Sequence, residues 1–184
     1  SGFRNLHEGT DLKSLTDELT CGKTVFLVDG YNKFFSIDTY YVEGRSITEP
    51  TSQNVIRGPK ECFVANISVN ISLLRKRIKN KSLRVEDLSV GYVTKTKIVI
   101  MYIDKIAKQE IVNEVRRRLK SINIDSIFDS SYIEDLIKDD RYSIFPEFLI
   151  SEKPDSVSAA LLEGRVAILV DGTAYVLTAP GLFM

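Results

Sequence analysis

The chain has 184 residues with 25 basic and 25 acidic side chains, so its formal charge is zero. At 43% hydrophobic and 27% charged it has the composition of a folded globular protein, not of a disordered or fibrous one. Neutrality removes the overall attraction to phosphate that nucleic-acid binding normally uses, and two cysteines with a single histidine, His7, are too few for an ordinary zinc site.

No stretch approaches the roughly 18–20 uninterrupted apolar residues of a membrane helix, and no signal peptide is visible. Cys21 and Cys62 stand far apart and read as reduced, buried residues. Ser1-Gly2 reads as an expression remnant, and Gly181-Leu182-Phe183-Met184 as a cut made short of a natural terminus.

The first predicted element is a helix over 11–19, with Leu12, Leu15 and Leu19 at helical spacing. A hairpin follows across 24–38, and a short strand over 40–45. Residues 47–56 are polar and irregular. Gly58-Pro59 opens a long helix ending near Asn80, its apolar stripe running Phe63, Ile67, Ile71, Leu74 and Ile78. Residues 83–90 form a strand and Gly91 breaks it.

The apolar run 97–103 is a buried strand. The next helix spans about 105–121, with Ala107, Ile111, Val115, Leu119 and Ile122 inward. A short strand at 126–128, a capped helix over 131–138 and a strand at 147–150 come next. A helix from Pro154 to Glu163 and a closing hairpin complete the chain.

Two of these segments are copies. Gly22-Lys23-Thr24-Val25-Phe26-Leu27-Val28-Asp29-Gly30 returns as Gly164-Arg165-Val166-Ala167-Ile168-Leu169-Val170-Asp171-Gly172, at a constant offset of 142. Each reads as a strand closed by an Asp-Gly hairpin turn, so Asp29 and Asp171 are turn formers rather than a catalytic pair. The repeat predicts an α/β fold of two small α/β subdomains, each with a mixed sheet that ends in or contains a β-hairpin and is flanked by helices. The boundary falls in Gly91–Thr96: an N-terminal subdomain over 1–93 and a C-terminal one over 94–184, the latter with a mainly parallel sheet.

Several residues suggest chemistry. Arg75, Lys76, Arg77, Lys79, Lys81 and Arg84 make a basic cluster, which a helix C-terminus explains by itself. Arg57 and Gly58 precede a helix start that offers free N–H groups to an anion. Asn66 and Asn70, a turn apart, are candidates for a small polar ligand. Glu152 and Asp155 flank another helix start. Together Arg57, Gly58, Asn66, Asn70, Arg75, Glu152 and Asp155 are the candidate ligand-binding residues. No nucleotide, cofactor or hydrolase motif is present, so an enzyme with a Glu152–Asp155 carboxylate pair is the weakest reading and no catalytic or metal-binding residue is assigned.

Arg57-Gly58-Pro59-Lys60-Glu61 with Phe63, the block Asn70 to Arg77, Glu152-Lys153-Pro154-Asp155, and Leu161 to Gly172 with Leu177 and Pro180 together resemble the A subunits of GerA-type spore germinant receptors. The resemblance runs over nearly the whole chain from about Leu19, departing at Lys153, at Ala174 and in the loop Thr51–Asn54. It implies a non-catalytic, soluble N-terminal domain on the cytosolic side of the spore inner membrane, with membrane helices beyond Met184. It implies partnership with B and C subunits of the same receptor, homo-oligomers of A subunits and an ion channel, but no nucleic acid. It further implies a part in sensing or relaying a nutrient signal that triggers germination and ion release. The alternative is a module that binds a small nutrient or an anion at the subdomain junction.

Overall fold

The computed structural model describes residues 6–37, 61–122, 133 and 148–181. The expected strands at 40–45 and 126–128, the helix start at Gly58-Pro59 and nearly all of the 131–138 helix lie outside them. Among the described residues there are eight strands and four helices: β1 Leu6–Gly9, α1 Leu12–Thr20, β2 Thr24–Leu27, β3 Phe34–Ile37, α2 Ile67–Arg77, β4 Leu83–Val90, β5 Thr96–Ile103, α3 Gln109–Ser121, β6 Leu149–Ser151, α4 Pro154–Leu162, β7 Val166–Val170 and β8 Val176–Ala179.

The strands form two sheets, a three-stranded one ordered β1-β3-β2 and a five-stranded one ordered β4-β5-β7-β8-β6. Every pairing is antiparallel. The expected parallel sheet is therefore corrected. Unbroken apolar runs report burial on both faces, which parallel strands usually have; here helices cover both faces of an antiparallel sheet. On one face Ile98, Ile100 and Tyr102 of β5 and Ile168 and Val170 of β7 pack with Val112, Val115 and Leu119 of α3. On the other, Val99, Met101, Ile103, Ala167 and Leu169 pack with Leu73 and Leu74 of α2 and Val157 and Leu161 of α4. Successive strand residues alternate between the two cores, as the pleat requires. Each fully buried aliphatic contributes about 1.5–3 kcal/mol.

The division at 93/94 also changes. Gly91–Lys95 is the turn of a β4–β5 hairpin, with Val90 opposite Thr96 and Leu83 opposite Ile103. Gly91 breaks a strand, but to turn it back on its neighbour. The described residues instead group as a small unit, 6–37, and a large unit, 61–181.

Two helices start later than their periodicity suggests. Asn66 caps α2, accepting from the Ser68 and Val69 amides at 2.9 and 3.4 Å, and Phe63 is buried from the extended segment before it. α3 starts at Gln109 because Lys105 takes φ +73° in a turn over 104–106.

The repeat extends beyond the hairpins. Adding 142 to the bounds of α1 and β3 gives those of α4 and β8. The register follows: His7↔Ser36 and Phe26↔Phe35 in the small sheet match Leu149↔Thr178 and Ile168↔Leu177 in the large one. The helix ends agree as well. Lys23 N–H donates to the Glu18 carbonyl at 3.2 Å, and Arg165 N–H to the Ala160 carbonyl at 3.0 Å. A whole β-α-β-β unit therefore occurs twice. In the first copy Gly9 leaves room for the Phe34 ring, which a Cβ at residue 9 would meet at 2.2 Å.

Candidate functional site

The candidate residues gather around one extended segment, 61–67, which is tied at nearly every residue. The Glu61 carboxylate accepts from Arg77 Nη2 at 2.7 Å. Phe63 N–H donates to the Glu152 carbonyl at 2.9 Å. Val64 exchanges two bonds with the Asn70 amide: its N–H donates to Oδ1 at 2.9 Å, and its carbonyl accepts from Nδ2 at 2.6 Å. The Ala65 carbonyl accepts from Gly172 N–H at 2.9 Å, and Ile67 N–H donates to Asp171 Oδ1 at 3.2 Å. The segment thus binds α2, the start of α4 and the β7–β8 turn into one knot.

Arg77 is its electrostatic centre. Its Nε donates to Asp155 Oδ1 at 2.7 Å while Nη2 holds Glu61, one fork gripping two carboxylates. Burial works against its charge, but the bonds to Asp155 and Glu61 outweigh it and hold the guanidinium above its usual value. The adjoining Cys62 is buried, and burial, with the charge of Glu152 added, pushes its thiol up. A raised thiol is a poor nucleophile. Cys21, in contrast, is exposed rather than buried.

Of the candidate ligand-binding residues, Arg57 and Gly58 lie outside the described residues. Asn66 is committed to capping α2, and Asn70, 1% exposed, to the Val64 backbone. Arg75 is exposed in the last turn of α2. Glu152 is buried and Asp155 is exposed in its ion pair with Arg77. The structure therefore brings Asn70, Glu152 and Asp155 to one segment and leaves Arg75 outside. Sequence reasoning missed Arg77 and Glu61. The signal was present: Arg77 follows Leu73 and Leu74 at helical spacing, so it belongs to the inward face and not to the solvated cluster.

The rest of the basic cluster at the end of α3 is also partnered. Arg116 holds Glu86 of β4, which also accepts from the Tyr102 hydroxyl at 2.7 Å. Arg117 and Arg118 both hold Glu114. Among the described residues, no group of three or more His, Cys, Asp or Glu side chains is placed to hold a metal ion, and no helix is long and apolar enough to cross a membrane.

The family model for the Bacillus/Clostridium GerA spore germination protein matches residues 2–184. The chain belongs to the GerA family. Among its GerA relatives, spore germination protein KA of Bacillus subtilis (strain 168) is 45% identical over 170 residues, covering 92% of this chain and 31% of KA. Spore germination protein A1 of the same organism is 39% identical over 168 residues, covering 91% of this chain and 35% of A1. The chain thus spans about a third of the curated relatives it matches. A solved structure, the N-terminal domain of the A subunit of the Bacillus megaterium spore germinant receptor GerK3, shares its fold. The TM-score is 0.71 at 38% identity, covering 98% of this GerA chain and 64% of that one.

Proposed function

We propose that residues 1–184 act as a non-catalytic part of the N-terminal domain of a germinant receptor A subunit, relaying a nutrient signal rather than turning over a substrate. The likeness to the GerK3 domain over 98% of the chain carries this reading. The A subunit would sit in the spore inner membrane with this domain on the cytosolic side. It would assemble with B and C subunits and further A subunits and respond to an amino acid or sugar by releasing ions. A relay works only if the signal favours one arrangement of the protein over another. The knot at 61–67 suits such a relay, because it fixes two helices and a hairpin turn as one body that moves together. Asn70 and Asp155 are used in holding that body.

The test is to remove residues 1–184 from the intact A subunit in spores and to measure co-purification of the B and C subunits together with nutrient-triggered germination. Loss of assembly or of the response is expected. A truncated subunit that accumulates normally and germinates at the full rate would end the proposal.

A further inference from the structure

The two β-α-β-β copies have unequal surroundings. In the second, the outer edge of β7 pairs with β5, with Val170, Leu169, Ile168 and Ala167 opposite Ile98, Val99, Ile100 and Met101. In the first, no strand adjoins the outer edge of β2 among the described residues. The side chains differ accordingly. Ile168, Leu169 and Val170 are 0%, 1% and 1% exposed, whereas their counterparts Phe26, Leu27 and Val28 are 47%, 72% and 52% exposed. The helices repeat the contrast: Leu161 of α4 is fully buried, and its counterpart Leu19 of α1 is half exposed.

An unpaired apolar strand edge is a template for another strand, and folded proteins normally blunt such edges with charge or proline. β4, an edge of the large sheet, carries Arg84, Glu86 and Asp87. β2 carries no charge between Thr24 and Leu27. Its composition is that of an interior strand.

We propose that the outer edge of β2 is completed by an antiparallel apolar strand from the same A-subunit polypeptide, outside residues 1–184. The repeat supplies the register. The added strand lies against Val28, Leu27, Phe26 and Val25 as Ile98 to Met101 lie against Val170 to Ala167. It must be apolar on both faces, since Ile168 and Val170 face one core and Ala167 and Leu169 the other. A source in the same polypeptide is favoured because the relatives are about three times as long as the match, and because the match covers only 64% of the folded GerK3 domain, leaving further polypeptide within that one domain. The inference rests on family membership and not on the signalling role.

The test uses the full-length A subunit in membranes, expressed without B or C subunits, in a Cys21→Ser background. Leu27→Cys and, as a control, Lys13→Cys are probed with a maleimide. Lys13 is exposed, and so is its counterpart Asp155. Labelling of Leu27→Cys slower by on the order of tenfold, unchanged on dilution, is expected. Equal labelling of the two would overturn the proposal. So would protection that appears only when B or C is added, that is lost on dilution, or that accompanies Leu27→Cys disulfide-linked dimers, since each assigns the edge to another molecule. Amide hydrogen exchange over 24–28 in the unsubstituted subunit gives the same answer if either variant fails to accumulate: protected amides are expected, and freely exchanging ones would overturn it.

Discussion

Gly22 and Gly164 end two helices with the same left-handed twist, φ +82° and +89°, yet only Gly164 is walled in. A Cβ on Gly164 would lie 2.9 Å from the Ile106 carbonyl oxygen, whereas one on Gly22 would meet nothing within 4 Å. Gly22→Ala should therefore cost about 1 kcal/mol, from the backbone conformation alone. Gly164→Ala should cost about 2–4 kcal/mol, because overpacking is added. Urea unfolding with hydrogen exchange in each unit checks this, and equal costs would refute the difference in surroundings.

Arg77→Ala should destabilise the large unit by about 1–3 kcal/mol, since it strips a largely buried fork from two carboxylates. Asp155→Ala should cost about 0.5 kcal/mol, because that carboxylate is 54% exposed and screened. Arg77→Lys should recover less than half the loss, an ammonium being unable to hold both partners in one plane. A double-mutant cycle between Arg77 and Glu61 measures the coupling.

The two asparagines should separate by mechanism. Asn70→Ala leaves a buried amide and carbonyl of Val64 without partners and should cost about 2–4 kcal/mol. Asn66→Ala removes a helix cap and should cost about 1 kcal/mol. Thermal unfolding of both variants ranks them. The reverse order would mean that the Val64 bonds do not hold the segment.

Acid should weaken the large unit through Glu114 and Glu86. The hydrogen bonds from Arg117 and Arg118 hold the Glu114 carboxyl at about 2, against an ordinary 4.5. The bonds from Arg116, then Tyr102, lower that of Glu86 despite its burial. A folded-state pKa below the unfolded value gives stability that is complete above about pH 4.5 and lost as pH falls toward 2. For Glu114 the loss should be about 1 kcal/mol after allowance for solvent screening. Glu114→Gln should flatten the stability curve in that window; an unchanged curve would contradict the assignment.

How much of this was readable in the sequence depended on the physical signal behind each element. The Asp-Gly hairpins were legible because a positive φ after a β-rich run admits few residues. The apolar runs at 97–103 and 166–170 revealed burial but not direction, since cover on both faces looks alike in parallel and antiparallel sheets. Gly91 revealed a break but not whether the chain departed or turned back. The β-α-β-β repeat was half seen. Its hairpins share residue types, whereas its helices share only spacing, Leu15 and Leu19 standing where Val157 and Leu161 stand. The knot was the least legible part, because the bonds of Val64, Ala65 and Ile67 are made by backbone, which carries no residue signature. Asn66 and Asn70 drew notice as polar residues beside an apolar stripe, but their partners could not be seen without the fold.

The most direct measurement is made in spores of the source organism with the gene for the parent protein deleted, and then restored. Germination and ion release are followed across a panel of amino acids and sugars. The account predicts that the response to at least one nutrient is lost on deletion and returns on restoration. Unchanged responses to every nutrient in a panel that triggers the parent spores would contradict it.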